Sequence, residues 1–161
     1  MSNKMVDLIN AQINAELASA YIYQNIENYY EEKGLLGFAA WFKKQTQEEI
    51  EHAEKFIAYL HEEGKKVVLS DIKAPHDVFA DAEEPLKLQL KHEEYVTSLI
   101  YGLVEQATED KDYRSLSFLK WFVDEQTEEE AHSRGLIDAY ELYGKDPASL
   151  MKLDHELGER K

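Results

Sequence analysis

Apolar residues recur every three or four positions through four long stretches of the chain, the spacing that places them on one face of an α-helix. Glycine and proline fall at only a few places, and most of the stretches end at one of them. The pattern therefore predicts an all-α protein. The predicted long helices span about residues 5–33, 35–63, 81–110 and 112–143.

Local signals at the helix ends support these boundaries. Gly34 follows the first predicted helix, as expected of a residue that readily takes the left-handed conformation at a helix C-terminus. Asp81 with Glu84 three positions later forms the pattern of a capping box, so the third helix is predicted to begin at Asp81. Asp146 followed by proline has the form of an N-cap, which predicts a short fifth helix over residues 147–157.

Four helices of this length bury their apolar faces most efficiently side by side. Each has roughly 28 residues and hence a length of roughly 42 Å. Tight connections join the first helix to the second and the third to the fourth, so each pair is predicted to be an antiparallel hairpin. The connection over residues 65–80 could span the whole bundle, since an extended chain reaches roughly 3.3 Å per residue. We expect one domain over residues 1–161, a four-helix bundle with a long crossover and a short C-terminal helix.

The chain resembles itself at an offset of 80 residues, which is the most informative feature of the sequence. Residues 38–52 read FAAWFKKQTQEEIEH and residues 118–132 read FLKWFVDEQTEEEAH. The identical positions are Phe38 and Phe118, Trp41 and Trp121, Phe42 and Phe122, Glu48 and Glu128, Glu49 and Glu129, and His52 and His132. Similar core packing would account for the aromatic pairs, Trp41 and Trp121 included. It would not account for the glutamates and histidines.

One carboxylate of each long helix lies on the predicted apolar face. Glu49 illustrates the pattern, because Phe42 lies seven positions before it and Phe56 seven positions after it. The corresponding residues of the first, third and fourth helices are Glu16, Glu93 and Glu129. On the second and fourth helices a histidine, His52 or His132, follows the glutamate three positions later on the same face.

Four carboxylates in a bundle core need compensation. Each would be destabilised by several kcal/mol on losing its hydration, and mutual repulsion would raise the pKa values and protonate some of the carboxyls. Two divalent or trivalent cations would neutralise the four charges and use the imidazoles as nitrogen donors. Bundles with di-iron carboxylate sites combine one glutamate from each of two helices with Glu-x-x-His from each of the others. The sequence therefore predicts a dinuclear metal site.

The composition narrows the chemistry further. The chain has 18 Lys and Arg against 33 Asp and Glu, a formal charge of −15, which makes nucleic acid and anionic membranes poor partners. It has no cysteine, so any metal must use Asp, Glu or His. A hydrophobic content of 43% is too high for a disordered chain. No signal-peptide pattern and no apolar stretch near about 18 residues is present, so we expect a soluble cytoplasmic protein.

With these motifs the chain resembles the ferritins, in particular the non-haem ferritins of bacteria and archaea, over essentially its whole length. The motifs that carry the resemblance are AQINAEL around Glu16, TQEEIEHA around Glu49 and His52, LKHEE around Glu93, and WFVDEQTEEE over 121–130. The resemblance implies a hollow 24-subunit shell. Such a shell oxidises Fe(II) with O2 or peroxide at a dinuclear site within each subunit and stores a ferric oxo-hydroxide mineral.

The resemblance also implies roles for individual residues. The ligands implied for the first iron are Glu16, Glu49 and His52, and those for the second are Glu49, Glu93 and Glu129. Gln126 would lie beside the centre. Tyr23 would either supply a further electron or hydrogen bond to a ligand carboxylate. A third, weaker iron position is implied at Glu48, Glu125, Glu128 and Glu129, of which the first three could instead form a solvated acidic face.

One histidine departs from the non-haem pattern. His132 completes a second Glu-x-x-His, as in the haem-containing bacterioferritins, and would either bind the second iron or pack beside it. Haem itself is not expected, because Ile50 occupies the position of the methionine that bacterioferritins use. No partner at ligand spacing accompanies the other histidines, which are expected on the surface or in loops: His61, His76, His92 and His155.

Two other functions are compatible with buried metal ligands. A di-iron oxidase or peroxidase of the rubrerythrin type keeps its iron, but such proteins usually bring a cysteine-ligated module that this chain lacks. A DNA-protecting shell of the mini-ferritin type places its ligands between subunits and has no fifth helix. Loading with more than about two irons per chain, and the mass of the assembly, distinguish these functions from iron storage.

Overall fold

Five α-helices make up the regular secondary structure of the computed structural model, which describes residues 1–161. The helices are α1 (Asn3–Glu32), α2 (Leu36–Glu62), α3 (Glu84–Glu109), α4 (Tyr113–Tyr143) and α5 (Pro147–Gly158). The all-α prediction is confirmed, as are the four long helices and the short fifth one. None of the helices is both long enough and apolar enough to cross a membrane.

The long helices pair as the sequence predicts. The α1 helix packs along α2, and α3 packs along α4, each pair joined by a short connection. The segment between α2 and α3 runs along the bundle. Near its start the Val68 backbone N–H donates to Asn10 Oδ1 over 2.7 Å, and near its end the Phe79 ring packs edge-on against Tyr29 at 5.2 Å. Asn10 and Tyr29 are roughly 28 Å apart on α1, so the long crossover is confirmed.

The third helix begins three residues later than predicted. The capping interactions do form, since Asp81 Oδ1 accepts the backbone N–H groups of Glu83 and Glu84, each over 3.0 Å. Glu84 Oε2 in turn accepts the N–H of Ala80 over 2.7 Å. These bonds belong to a turn that precedes the helix. Pro85 has no N–H to donate to the carbonyl of Asp81, so the helical ladder cannot begin there.

Two apolar clusters fill the bundle, one in each half. The first cluster consists of Met5, Ile9, Ile13, Ala53, Phe56, Tyr59, Leu60, Val96, Ile100, Leu103, Ala107, Leu119 and Phe122. The second consists of Tyr23, Ile26, Tyr30, Phe38, Ala39, Trp41, Phe42, Leu86, Leu136, Tyr140 and Leu153. Along every long helix, buried polar residues lie between the two sets of positions. The bundle core is therefore an apolar cluster, a polar layer and a second apolar cluster.

The two repeated tryptophans differ in their environment. Trp41 is 8% exposed, as core packing predicts, but Trp121 is 41% exposed, so the prediction of core packing was wrong for Trp121. The C-terminal segment covers Trp41, where the Arg160 guanidinium lies 4.0 Å from the ring centre. No fifth helix covers the equivalent part of α4, and Trp121 is covered only in part, by the Lys55 side chain at 4.2 Å.

The contact between α5 and the start of α2 depends on Gly37. A Cβ at Gly37 would lie 1.6 Å from the carbonyl oxygen of Asp154, and the neighbouring Phe38 N–H donates to Asp154 Oδ1 over 2.9 Å.

We predict that Gly37→Ala displaces α5 and removes the hydrogen-exchange protection of the Leu153 amide. Gly102→Ala is the matched control, because an added Cβ there meets no atom within 4 Å. It should retain the protection and stabilise α3 by up to about 1 kcal/mol.

Candidate metal centre

The polar layer contains the four glutamates that the apolar periodicity singled out. Glu16 and Glu93 are 1% exposed, and Glu49 and Glu129 are 2% exposed. Each comes from a different long helix, so the layer is assembled only when all four helices pack. Two ligand groups result, Glu16 with Glu49 and His52, and Glu49 with Glu93 and Glu129, each with its donor atoms within 4.8 Å of one another. Glu49 belongs to both groups.

His52 lies between the first group and a third one. Its Nδ1 is 3.2 Å from Glu49 Oε2 and 3.8 Å from Glu16 Oε2. Its Nε2 is 3.6 Å from Glu125 Oε1, and His52, Glu125 and Glu129 form the third group of converging donors. The histidine is 4% exposed, so its contacts replace those it would make with water.

Hydrogen bonds hold the Glu93 carboxylate at both of its oxygens. The Tyr23 hydroxyl donates to Glu93 Oε1, and Gln126 Nε2 donates to Glu93 Oε2 over 3.1 Å. Both residues therefore contact Glu93, a candidate ligand. Tyr23 is fully buried, and its hydrogen bond to a candidate ligand is one of the two roles expected of it.

Two glutamines that the sequence analysis missed complete this shell. Gln12 Nε2 donates to Glu16 Oε1 over 2.9 Å, and Gln45 Nε2 donates to Glu129 Oε2 over 2.6 Å. Each glutamine lies four residues before a buried glutamate of its own helix, Glu16 or Glu49, and so shares its face. That spacing is a signal the sequence does contain.

The layer contains more carboxylate oxygens than its hydrogen-bond donors can reach. Glu16 Oε2 is buried and accepts no hydrogen bond, which leaves an acceptor aimed into the centre. Burial, and then the charge of Glu93, raises the pKa of the Glu49 carboxyl well above its usual range. Burial likewise raises the pKa of Glu93, and burial together with the Glu93 charge raises that of Glu129 to about 8.

The pKa values of His52 and of the neighbouring, half-buried Glu125 are shifted in the direction opposite to the effect of burial. Burial lowers the pKa of His52, but the nearby carboxylates of Glu125, Glu16 and Glu49 outweigh burial and hold the pKa above its usual value. The same contact with His52 lowers the pKa of Glu125. Without a cation, burial therefore favours the neutral form of the carboxyls in the layer, and the carboxylates around His52 favour its charged form.

Cations fit this donor set better than protons do. Metal binding requires deprotonated carboxylates and a neutral imidazole, so it would release the protons that burial retains. Carboxylate oxygens with one imidazole nitrogen suit iron, among other first-row metals. The unpartnered oxygen of Glu16 gains a partner in the same step. The residues present therefore fit two cations that share Glu49.

The acids implied for a third iron position do not all meet. Glu125 and Glu129 converge with His52. Glu48 instead pairs with Arg160 Nη2 over 3.0 Å, and Glu128 is exposed on α4. Two of the four residues thus lie together, and the other two lie outside the groups of converging donors.

His132 does not join the centre. It is exposed, and it belongs to none of the three ligand groups, so the expectation that it binds or packs beside the second iron is corrected. The buried stripe of α4 continues from Glu129 to Ser133, which is fully buried and donates to the Glu129 carbonyl over 2.7 Å. On α2, by contrast, the buried stripe is wide enough to include both His52 and Ala53.

His92 is the second histidine that differs from expectation. It is half-buried between α1 and α3, where its Nε2 lies 2.7 Å from Ser19 Oγ and its ring contacts the Tyr23 ring at 5.9 Å. Burial lowers its pKa. Sequence spacing could not reveal these partners, because both lie on another helix. The remaining histidines are exposed as expected: His61, His76 and His155.

Comparison with known proteins shows the family to which the chain belongs. A family model described as a ferritin-like domain matches residues 6–142. The "bacterial non-heme ferritin" of Campylobacter jejuni is 36% identical over 154 residues, which cover 96% of this chain and 92% of the relative. The chain belongs to the non-haem ferritins. A relative of the same name in Staphylococcus epidermidis is 36% identical over 160 residues, covering 99% of this chain and 96% of the relative.

Solved ferritin structures share the fold. An open-pore ferritin of the hyperthermophilic archaeon Archaeoglobus fulgidus superposes with a TM-score of 0.97 at 38% identity, over 100% of this chain and 98% of the archaeal one. The agreement extends over the crossover and α5 as well as the four long helices. The predicted ferritin-type bundle is therefore confirmed.

The raised pKa of Glu129 predicts how the metal-free ferritin responds to pH. A carboxyl with a raised folded-state pKa contributes stability that is present below its unfolded value, about 4.3, and is lost as pH rises through the folded value. Relative to Glu129→Gln, wild type should lose roughly 1.4 kcal/mol of unfolding free energy per pH unit between about pH 4.3 and 8. Denaturant unfolding of both proteins without metal measures this difference.

Glu128→Gln is the matched control, since Glu128 is an exposed neighbour on the same helix. Its pH profile should run parallel to that of wild type. Parallel profiles for wild type and Glu129→Gln would contradict the prediction.

Proposed function

We propose that the chain forms one di-iron domain over residues 1–161 and that its function is iron storage. The centre in the polar layer oxidises Fe(II) with O2 or peroxide. The ferric product is deposited as ferric oxo-hydroxide inside a shell made of copies of this chain. The shell proposed is the 24-subunit one of the family. The observation that carries the proposal is the convergence of four buried glutamates from four helices of a single chain, with Glu49 common to two ligand groups.

Fe(II) is the substrate of this centre. One ion would bind to Glu16, Glu49 and His52, and the other to Glu49, Glu93 and Glu129. Two Fe(II) ions held together supply two electrons, which with two protons reduce one O2 to hydrogen peroxide or one hydrogen peroxide to two waters. A one-electron radical product is thereby avoided. Hard carboxylate ligands stabilise the ferric form, so oxidation is favoured at this site.

The residues around the ligands have separate tasks in this scheme. Gln126 and Tyr23 hold Glu93 by hydrogen bonds to its two oxygens, and Gln12 holds Glu16. Their direct contact with the ligand carboxylates restricts rotation and so keeps the metal position formed before Fe(II) arrives. Burial, followed by the charge of Glu93, raises the pKa of Tyr23 well above its usual range, so its hydroxyl remains a donor at neutral pH.

Storage also requires that ferric iron leave the centre. Glu125 is the only acid outside the four-glutamate layer that converges with His52 and Glu129, and it is partly exposed. We assign it the first step of transfer out of the bundle. Glu128 offers an exposed carboxylate one turn further along α4, and Glu48 offers another once it separates from Arg160.

The structure favours this function over the two alternatives. All ligand groups lie within one chain, whereas mini-ferritins place their ligands between subunits, and α5 is present. These 161 residues contain no cysteine for the thiolate site that rubrerythrin-like oxidases carry. Ile50 is exposed on α2 and has no atom that binds iron, so the proposal includes no haem.

Metal loading of the assembled protein tests the proposal. Anaerobic titration should saturate at about two Fe(II) per chain, as in other dinuclear carboxylate bundles, and aerobic addition should then load many more per chain. His52→Ala should weaken binding of the first ion by about 10-fold or more. Because Fe(II) oxidation needs both ions bound, the initial rate at limiting iron should fall with it.

His132→Ala is the matched control, since it removes the other Glu-x-x-His histidine from an exposed position. It should bind and oxidise iron as wild type does. Saturation without loading beyond the centre would indicate a fixed di-iron enzyme. The absence of saturable binding would contradict the proposal altogether, and a loss in His132→Ala equal to that in His52→Ala would contradict the ligand assignment.

A further inference from the structure

Arg160, which follows α5, is buried to an unusual degree for a charged side chain near a chain end. Its side chain is 16% exposed and lies over α2. The guanidinium stacks on Trp41 at 4.0 Å, Nη1 donates to the Trp41 carbonyl over 3.0 Å, and Nη2 pairs with Glu48 over 3.0 Å. These contacts hold the guanidinium in one orientation.

The remaining contact of Arg160 leads to the metal centre. Its Nη1 donates to Gln45 Oε1 over 3.1 Å. Gln45 is fully buried, and its Nε2 donates to Glu129 Oε2 over 2.6 Å and to Glu49 Oε1 over 3.4 Å. Arginine has donors only, so it admits only the oxygen of the Gln45 amide on its own side. The amide nitrogen must then face the two carboxylates.

We propose that Arg160 is a positioning residue of the metal centre, which acts through Gln45 to fix Glu129 at the second metal position. The proposal rests on the dinuclear function proposed above. Gln45 holds Glu129 more closely than it holds Glu49, because its Nε2 lies 2.6 Å from Glu129 Oε2 but 3.4 Å from Glu49 Oε1, and Glu49 also contacts His52. Glu16 at the first position is held separately by Gln12.

Attachment of α5 does not require Arg160. The helix is already docked by the close contact at Gly37, by the bond from the Phe38 N–H to Asp154 and by burial of Leu153.

The charge of Arg160 and its positioning role have opposite effects on the affinity for a cation. A positive charge near a cation site weakens cation binding, so its removal should strengthen binding if charge alone mattered. A weaker second site would identify positioning.

Calorimetric titration of the assembled apoprotein with Zn(II), a redox-inactive probe, distinguishes these effects. In wild type two equivalents per chain should bind. In Arg160→Ala the first equivalent should bind as in wild type and the second about 10-fold more weakly. Lys161→Ala is the matched control, because it removes the same charge one residue away from an exposed side chain. It should leave both equivalents unchanged.

A double-mutant cycle with Gln45 tests the route of the effect. Gln45→Ala should weaken the second equivalent as Arg160→Ala does, and the double variant should show no further loss, since both changes remove the same restraint. Arg160→Lys keeps the charge but not the planar set of donors, so it too should weaken the second equivalent. It serves as the test if Arg160→Ala fails to assemble.

Three outcomes would overturn the inference. They are an unchanged or tighter second equivalent in Arg160→Ala, an equal loss of both equivalents, and additive losses in the double variant. Wild type that fails to bind two Zn(II) would instead contradict the proposed function. The two failures are therefore distinguishable in one set of titrations.

Discussion

The cost of burying four carboxylates in one layer is the constraint on which the rest of the structure depends. Each of them is nearly inaccessible to water, and three have pKa values raised chiefly by burial. Hydrogen bonds from tyrosine and glutamine satisfy part of this acid, and His52 compensates another part. A partner of higher charge is needed for the remainder, and the two cations of the proposed centre would supply it.

The apolar clusters make this layer possible by fixing the helices on both sides of it. Aromatic pairs lie in both clusters. In the first cluster the Phe56 and Phe122 rings stack at 4.1 Å, and in the second cluster Tyr30 stacks on Phe42 at 5.6 Å. Four rigid helices then present their glutamates at one level. Because burial raises the pKa values of these carboxyls, their ionisation near neutral pH opposes folding of the metal-free protein, and bound cations would offset this cost.

Helical spacing predicted the bundle, its crossover and the four buried glutamates, because each depends on which face of a helix is apolar. The sequence repeat gave wrong predictions of burial for two residues of α4, because the repeat does not show how wide the buried face is or whether another helix covers it. His132 and Trp121 repeat His52 and Trp41 in the sequence but are exposed, since α4 has a narrower buried stripe and no fifth helix over it. The contacts of Arg160 with α2 could not be predicted, because they arise only after α5 folds back.

Anomalous X-ray diffraction from crystals soaked anaerobically in Fe(II) tests the central claim most directly, since it locates iron independently of activity. The account predicts two strong peaks per chain inside the bundle, about 3.5–4 Å apart, with the Glu49 carboxylate between them. Iron found only on the protein surface, or a polar layer without iron and with its glutamates in their metal-free hydrogen bonds, would contradict it.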